Sequence, residues 1–231
     1  MTLEFPDLGI ERGELTDYQS AWQLQREIHA QVAAGERGPT VLLVQHPSVY
    51  TAGKRTQPQD LPFDGTPVID VDRGGKITWH GPGQLVAYPI VRLNESVRVV
   101  DYVRRLEQAM LDTLADLDLD ATRVEGRSGV WILGDGIGPD RKLGQVGIRV
   151  AANTTMHGLA INVDPDMRWF ANMIPCGISD AAVTSIGQEL RRPVEVAEVA
   201  PLLTTHLRTA LDFAEHDPAA AVRTDTAHAV G

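Results

Sequence analysis

The stretch "TPVIDVDRGGKITWHGPGQLVAYPIV" (residues 66–91) sets two glycine clusters between short runs of β-branched and aromatic residues. It reads as strand, glycine loop, short strand, second glycine loop, strand. Three strands thus follow one another with no helix between them, and along the rest of the chain helices and strands interleave irregularly. A doubly wound parallel sheet needs a helical crossover between successive strands, so the expectation is a single α+β domain.

The flanks agree. Upstream, residues 16–36 open with Thr16 or Asp17 as a cap and place Tyr18, Ala21, Trp22, Gln25, Ile28 and Val32 on one stripe, an amphipathic helix ending near Gly35. "TVLLVQHPSVYTAGK" (40–54) follows as a short buried strand stopped by His46-Pro47 and then by Gly53. Downstream of Ser96, a candidate cap, Val99, Val103, Leu106, Met110, Leu114 and Leu117 recur at helical intervals. "RSGVWILGDG" (127–136) and "KLGQVGIRVAANTTMHGLAINV" (142–163) predict three strands with turns. "EVAEVAPLLTTHLRTALDFAE" (195–215) is a last helix, with Pro201 tolerable only near its first turn. There is no internal repeat or linker, and the expected division is one folded domain over 1–214 and a disordered acidic tail over 215–231.

With 43% hydrophobic and 23% charged residues and no run of eighteen apolar positions, the chain is globular and does not enter a membrane. A formal net charge of −10 argues against nucleic acid as a partner. One region runs against the overall sign: Arg141, Lys142, Arg149 and Arg168 stand against Asp164 and Asp166. The single cysteine, Cys176, permits no internal disulfide, so a reducing cytoplasm is the expected setting.

That cysteine lies in "FANMIPCGISDAAVTSI" (170–186), between a proline and a glycine. A lone cysteine is most often an inert buried side chain. Pro175 and Gly177, however, predict a turn-like backbone, in which free N–H groups near a thiol would lower its pKa and could hold an oxyanion. A thiol of ordinary pKa, about 8.5, needs a base or a cation to ionise at neutral pH. His46, His80 and His157 stand beside Pro or Gly in turn or strand contexts. His29 and His206 fall in predicted helices, and His216 and His228 in the tail. Lys142 is the other candidate, although a lysine at a strand start is more often a solvated surface residue. The spacing of these residues does not bring Lys142 to Cys176. No pair of histidines has metal-ligand spacing, and neither "RGGKITWHGPG" nor "GDGIGPD" matches a nucleotide-binding loop, so no metal and no cofactor is expected.

Taken together these motifs resemble a known family, the octanoyltransferases of the lipoate-protein ligase B type. "RGGKITWHGPGQLVAYPI" is similar to the signature RGG-x-x-T-x-HGPGQ, and "RKLGQVGIRV" to K-[LI]-x-x-[LIV]-G-[LIV]-[RK]. "MHGLAINVDPDMRWFANMIPCGISDAAVTSI" resembles the HG-[LF]-A-[LIF]-N-V and PCG-[LIM] segments with the VTS beyond them. "SGVWI" and "LLVQHPSVYTAGK" fit as well, so the resemblance spans roughly residues 40–186. Lys76 and Trp79 occupy the variable positions of the first motif.

The resemblance implies the catalytic domain shared with biotin and lipoate protein ligases: a mixed β-sheet flanked by helices plus a smaller sheet. It implies transfer of octanoyl from octanoyl-acyl carrier protein to a lysine of apo lipoyl domains, in 2-oxoacid dehydrogenases or the glycine-cleavage H protein. Cys176 would carry the octanoyl thioester and Lys142 would act as general acid and base. The family's substrate-binding segments map onto Arg73, Gly74, Gly75, Lys76, Ile77, Thr78, Trp79 and His80, onto Gln145, Val146 and Gly147, and onto Gly158, Leu159 and Ala160. His46 and His157 are possible auxiliaries. Both implied partner proteins are usually acidic, and Arg55, Arg73, Lys76, Arg141, Arg149 and Arg168 are the candidates for a basic entrance. The competing readings are an ATP-dependent lipoate ligase, which usually carries RR-x-x-GGG-x-V-x-H, and a lipoyl-domain binding module with an inert Cys176.

Overall fold

The structure, a computed structural model, describes residues 1–63, 65–94, 96–134, 136, 138–172 and 181–215. Two expected features fall outside them: Cys176 with its neighbours, and the tail from residue 216.

Residues 66–91 do form three strands, β3 (Val68–Asp70), β4 (Thr78–His80) and β5 (Gln84–Ile90), but they are divided between two sheets. The stretch read as one strand at 40–54 divides in the same way. The ring of Pro47 fixes the backbone after His46, so β1 (Thr40–Val44) ends there and β2 (Val49–Ala52) begins in the other sheet. The small sheet runs β3-β2-β4, with β2 parallel to β3 and antiparallel to β4. Its own core is Tyr50, Ile77, Trp79 and Phe170, with Trp169 stacked on Trp79 at 6.1 Å.

The large sheet has the order β1-β5-β9-β8-β7-β6, where β6 is Thr122–Val124, β7 Arg127–Ile132, β8 Arg141–Ala151 and β9 Thr154–Asn162. These neighbours are antiparallel. The short β10 (Ala182–Val183) adds to β8 in parallel, which makes the sheet mixed as expected. β8 and β9 are joined by a two-residue turn at Ala152 and Asn153, both with positive φ (48° and 54°), the geometry that matches the twist of a hairpin.

Period-two alternation divides this sheet into two faces. Leu85, Ala87, Leu143, Leu159 and Ile161 enter the larger core with α2 (Val99–Ala115) and α5 (Val196–Ala210). Leu42, Val44, Val86, Tyr88, Ile90 and Ala160 face α1 (Tyr18–Ala34). The stripe on α1 is as expected, with Asp17 as its cap accepting from the Ser20 N–H, and Gly35 in the left-handed conformation closing its end.

Three local expectations are corrected. Ser96 does not cap α2. Its hydroxyl bonds Asn94, and the cap lies two residues later at Arg98, whose N–H the Asp101 carboxylate accepts. Val99 is left exposed, and Glu107 takes a place on the buried stripe. Pro201 stands in the body of α5, beyond its first turn, and the helix continues through it because Leu203, Leu207 and Val199 are buried on the core side.

Candidate active site

Residues of β4, β5, β8 and β9, the loop before β4 and the turn between β6 and β7 enclose a cavity of about 290 Å³ on the α1 side of the large sheet. Lys142 and Gln145 both line it. They stand three positions apart on β8, an odd spacing that regular alternation would send to opposite faces. Pairing explains the exception: Val130 faces Gly144 while the next residue, Trp131, faces Lys142, so Leu143 has no partner on β7. This bulge directs Leu143 into the core and re-aims Lys142 into the cavity.

Lys142 is held from several sides. It is 7% exposed, its ammonium lies 5.2 Å from the centre of the Trp131 ring, and a Cβ on Gly129 would come within 3.0 Å of its Cε. Gly129 adopts φ 96°, and its N–H is accepted by the buried carboxylate of Glu107, itself paired with Arg104 and Arg123. On the other side β10 runs parallel to Lys142, and the Thr184 N–H donates to the Lys142 carbonyl at 2.9 Å.

A second irregularity acts on β9. His157 has φ 57°, in the left-handed region that costs a non-glycine residue about 1–3 kcal/mol. Its Nε2–H donates to Asp72 at 2.8 Å, and Asp72 also pairs with Arg149 at 2.8 Å. Burial holds the imidazole at a pKa of about 4, so the ring is neutral near pH 7, despite the carboxylate beside it. Burial alone would raise the Asp72 pKa, but the His157 hydrogen bond and the Arg149 charge outweigh it and lower it.

Around His80 and Tyr88 the cavity lining is polar but uncharged. His80 donates from Nδ1 to Gln84 Oε1 at 2.6 Å, and burial pushes its pKa down to about 3. Tyr18 stacks on it at 6.1 Å. The Tyr88 hydroxyl donates to His46 Nε2 at 2.8 Å, while His46 Nδ1–H donates to the Thr16 carbonyl at 2.6 Å. Burial lowers the His46 pKa to about 4 and raises that of Tyr18 to about 12.

Arg73 builds the wall rather than the floor. Its guanidinium donates to the carbonyls of Gly74, Lys76 and Thr51 and to the Thr51 hydroxyl, over 2.7–3.0 Å. Glycine at 147 leaves room for it, since a Cβ there would stand 3.1 Å from the Arg73 Cδ. Four bonds therefore hold the glycine loop at the cavity's edge.

The comparisons with known proteins point one way. Residues 17–208 match the model of the lipoyl protein ligase A/B catalytic domain. An octanoyltransferase of Salinispora tropica is 57% identical over 212 residues, 92% of this chain and 100% of that protein. The chain belongs to the octanoyltransferases of this family. It is thus an acyltransferase of lipoyl biosynthesis. The bipartite lipoate protein ligase of Thermoplasma acidophilum shares the fold at TM-score 0.62 and 14% identity, over 91% of this chain and 83% of that one. The biotin protein ligase of Aquifex aeolicus does so at TM-score 0.50 and 14% identity, over 94% and 71%.

Within this transferase the residues expected to bind substrate are sorted by position. Arg73, Gly75, Lys76, Ile77, Thr78 and His80 line the cavity, as do Lys142, Gln145, Val146, Gly147, His157, Gly158, Leu159 and Ala160. Gly74, Trp79 and His46 do not: Gly74 lies in the loop behind Arg73, Trp79 is in the small sheet's core and His46 is behind Tyr88. Cys176 lies outside the described residues. The chain is next described at Ala181, five positions beyond it, where it enters β10 beside Lys142. Among the described residues no cluster of three His, Cys, Asp or Glu side chains fits a metal ion.

The enzyme's cavity also uses Tyr18, Tyr88 and Ser128, which sequence reasoning passed over. Tyr18 reads as one more apolar position on the α1 stripe. The "SGVWI" match pointed at Ser128 without giving it a role. The basic entrance contracts as well. Lys76 pairs with Asp60, Arg141 with Glu189, Arg149 with Asp72 and Arg168 with Asp166. Of the six candidates Arg55 is exposed, lines the cavity and has no ion pair among the described residues.

Proposed function

We propose that the enzyme takes octanoyl from octanoyl-acyl carrier protein onto Cys176 and passes it to the target lysine of an apo lipoyl domain. The acceptors are the lipoyl domains of 2-oxoacid dehydrogenases and the glycine-cleavage H protein. Lys142 serves as general base and general acid. What supports this reading most is the placement of Lys142: a bulge turns a buried lysine into the cavity, against the strand that the chain enters six residues past Cys176.

In the first half-reaction Lys142 accepts the Cys176 proton, and the thiolate attacks the carbonyl carbon of the donor thioester. The bond from that carbon to the carrier's sulfur breaks, and the departing thiolate takes the proton back from Lys142. One thioester replaces another, so the step is nearly isoenergetic and the acyl group is held while the protein partners exchange. In the second half-reaction the acceptor lysine, with a free pKa of about 10.4, attacks the Cys176 thioester and gives a proton to neutral Lys142. An amide forms as the bond to the Cys176 sulfur breaks, Lys142 returns the proton to that sulfur, and the balance runs downhill.

The cavity suits an apolar acyl chain, since Ile77, Val86 and Ala160 line it and burial keeps His80 and His157 neutral. No described helix is long and apolar enough to cross a membrane. A reducing cytoplasm, which keeps Cys176 a thiol, is the setting that fits this chemistry.

The test is the intact mass of the enzyme after incubation with octanoyl-acyl carrier protein, beside Cys176→Ala. A gain of one octanoyl group in the wild type alone, discharged by an apo lipoyl domain, is the expected result. Transfer without an adduct would replace the relay by direct attack in a ternary complex and remove Cys176 from the mechanism.

A further inference from the structure

A line of buried hydrogen bonds joins the cavity wall to the peptide of Lys142. His80 Nδ1–H donates to Gln84 Oε1 at 2.6 Å. Gln84 Nε2 donates to Asn162 Oδ1 at 2.9 Å, and Asn162 Nδ2 donates to the Thr184 carbonyl at 2.9 Å. The Thr184 N–H in turn donates to the Lys142 carbonyl at 2.9 Å. Gln84 and Asn162 are fully buried and Thr184 is 1% exposed. Each amide has one orientation that satisfies both neighbours, because a flip of either would set N–H against N–H. Polar groups sealed from water in this way are costly unless every bond is made, so the string admits one arrangement.

The Lys142 end is the one that needs holding. β10 has only two residues, and a parallel pair of that length supplies little of its own stability. The Thr184 hydroxyl also donates to Glu189, which clamps Arg141 through two bonds, so both neighbours of the Lys142 peptide are tied to the same point.

We propose that Gln84 and Asn162 are positioning residues for the transfer reaction: through Thr184 they hold β10 in register against Lys142 and so fix where its ammonium stands. The proposal rests on the reading of Lys142 as the acid and base. Neither residue lines the cavity. Their effect is on the rate of proton transfer, with the cavity itself left intact.

The experiment uses the full chain and three variants, Asn162→Asp, Asn162→Leu and Lys142→Met. Asn162→Asp keeps the acceptor for Gln84 and loses the donor to Thr184. It guards against a folding failure in Asn162→Leu. Three quantities are read: hydrogen exchange at the Thr184 amide, the single-turnover rate of octanoyl transfer to an apo lipoyl domain, and KM for the acyl donor. In both Asn162 variants exchange at Thr184 is expected to quicken by about tenfold or more, as local opening becomes easier. The transfer rate is expected to fall about tenfold or more while KM for the acyl donor stays within about twofold, since sub-ångström misplacement of a reacting group is costly. Unchanged exchange would overturn the proposal, and so would fast exchange with wild-type transfer. Failure of the underlying reading has a different signature, which is full transfer by Lys142→Met.

Discussion

The two faces of the large sheet are built from the same strands and follow different rules. On the face toward α2 and α5, alternation is regular and the side chains are Leu, Ile, Val and Ala. The cavity side carries the irregularities: the bulge at Leu143, the left-handed His157 and the φ 96° of Gly129. Regular pairing serves packing, where any well-fitting apolar side chain suffices. Departures from it serve placement, because they alone bring Lys142, Gln145 and His157 to one side.

If that division holds, substitutions on the two faces separate activity from stability. The largest effect belongs to Lys142→Met. Transfer should fall by about 10²–10⁴-fold, the usual contribution of general acid–base catalysis, with thermal unfolding little changed. A variant as active as the wild type would move the proton transfer elsewhere. Gly129→Ala should follow, with about a hundredfold loss. Its Cβ would meet the Gly144 carbonyl and press on the Lys142 stem, from a φ that disfavours any L side chain. Retained activity would mean that β7 can yield without moving the lysine. On the opposite face, fully buried Leu106→Ala should cost about 2–5 kcal/mol of stability and leave turnover at low temperature unchanged. A denaturant midpoint beside a rate measurement reads both quantities.

The sequence motifs were most informative on this irregular face, and the reason is physical. Glycine loops and buried polar residues are rare in plain packing, so "RGGKITWHGPG" and "HGLAINV" mark walls of the cavity in the sequence itself. What they could not convey depends on pairing across the sheet. The Leu143 bulge exists only relative to Val130 and Trp131, and Trp79 leaves the cavity because Trp169 and Phe170 claim its ring. The helix stripes gave α1 and the body of α2, but the start of α2 turned on the Asp101 carboxylate, three residues beyond the position it caps. The regular face was legible as a core and nothing more.

The same contrast predicts an acid weakness. Burial lowers the pKa of His46 and His157 to about 4 and of His80 to about 3, against an unfolded value of 6.5. A depressed folded pKa stabilises the protein above the unfolded pKa, and that stability is lost as pH falls toward the folded pKa. Below pH 6.5, and down to about 4, each of these histidines should remove on the order of 1 kcal/mol per pH unit. Melting temperatures measured from pH 7.5 to 4.5 should drop steeply. His46→Gln should flatten the slope, and parallel slopes would show that His46 takes no part in it.

The smallest effect lies with the charges proposed to meet the partner proteins, which are unequal. Arg168 is 91% exposed, yet its guanidinium is held by Asp166 at 2.7 Å, so the pair presents almost no net field. Arg55 has no ion pair among the described residues, and it lines the cavity. Charge reversal at Arg55 should therefore raise KM for octanoyl-acyl carrier protein by about three- to tenfold at low salt, and the effect should fade as ionic strength rises. Arg168→Glu should change KM by less than about twofold, because Asp166 has already cancelled that charge. Equal effects at the two positions would mean that the partner reads the net charge of the whole face, and that the ion pairs do not screen what approaches the cavity.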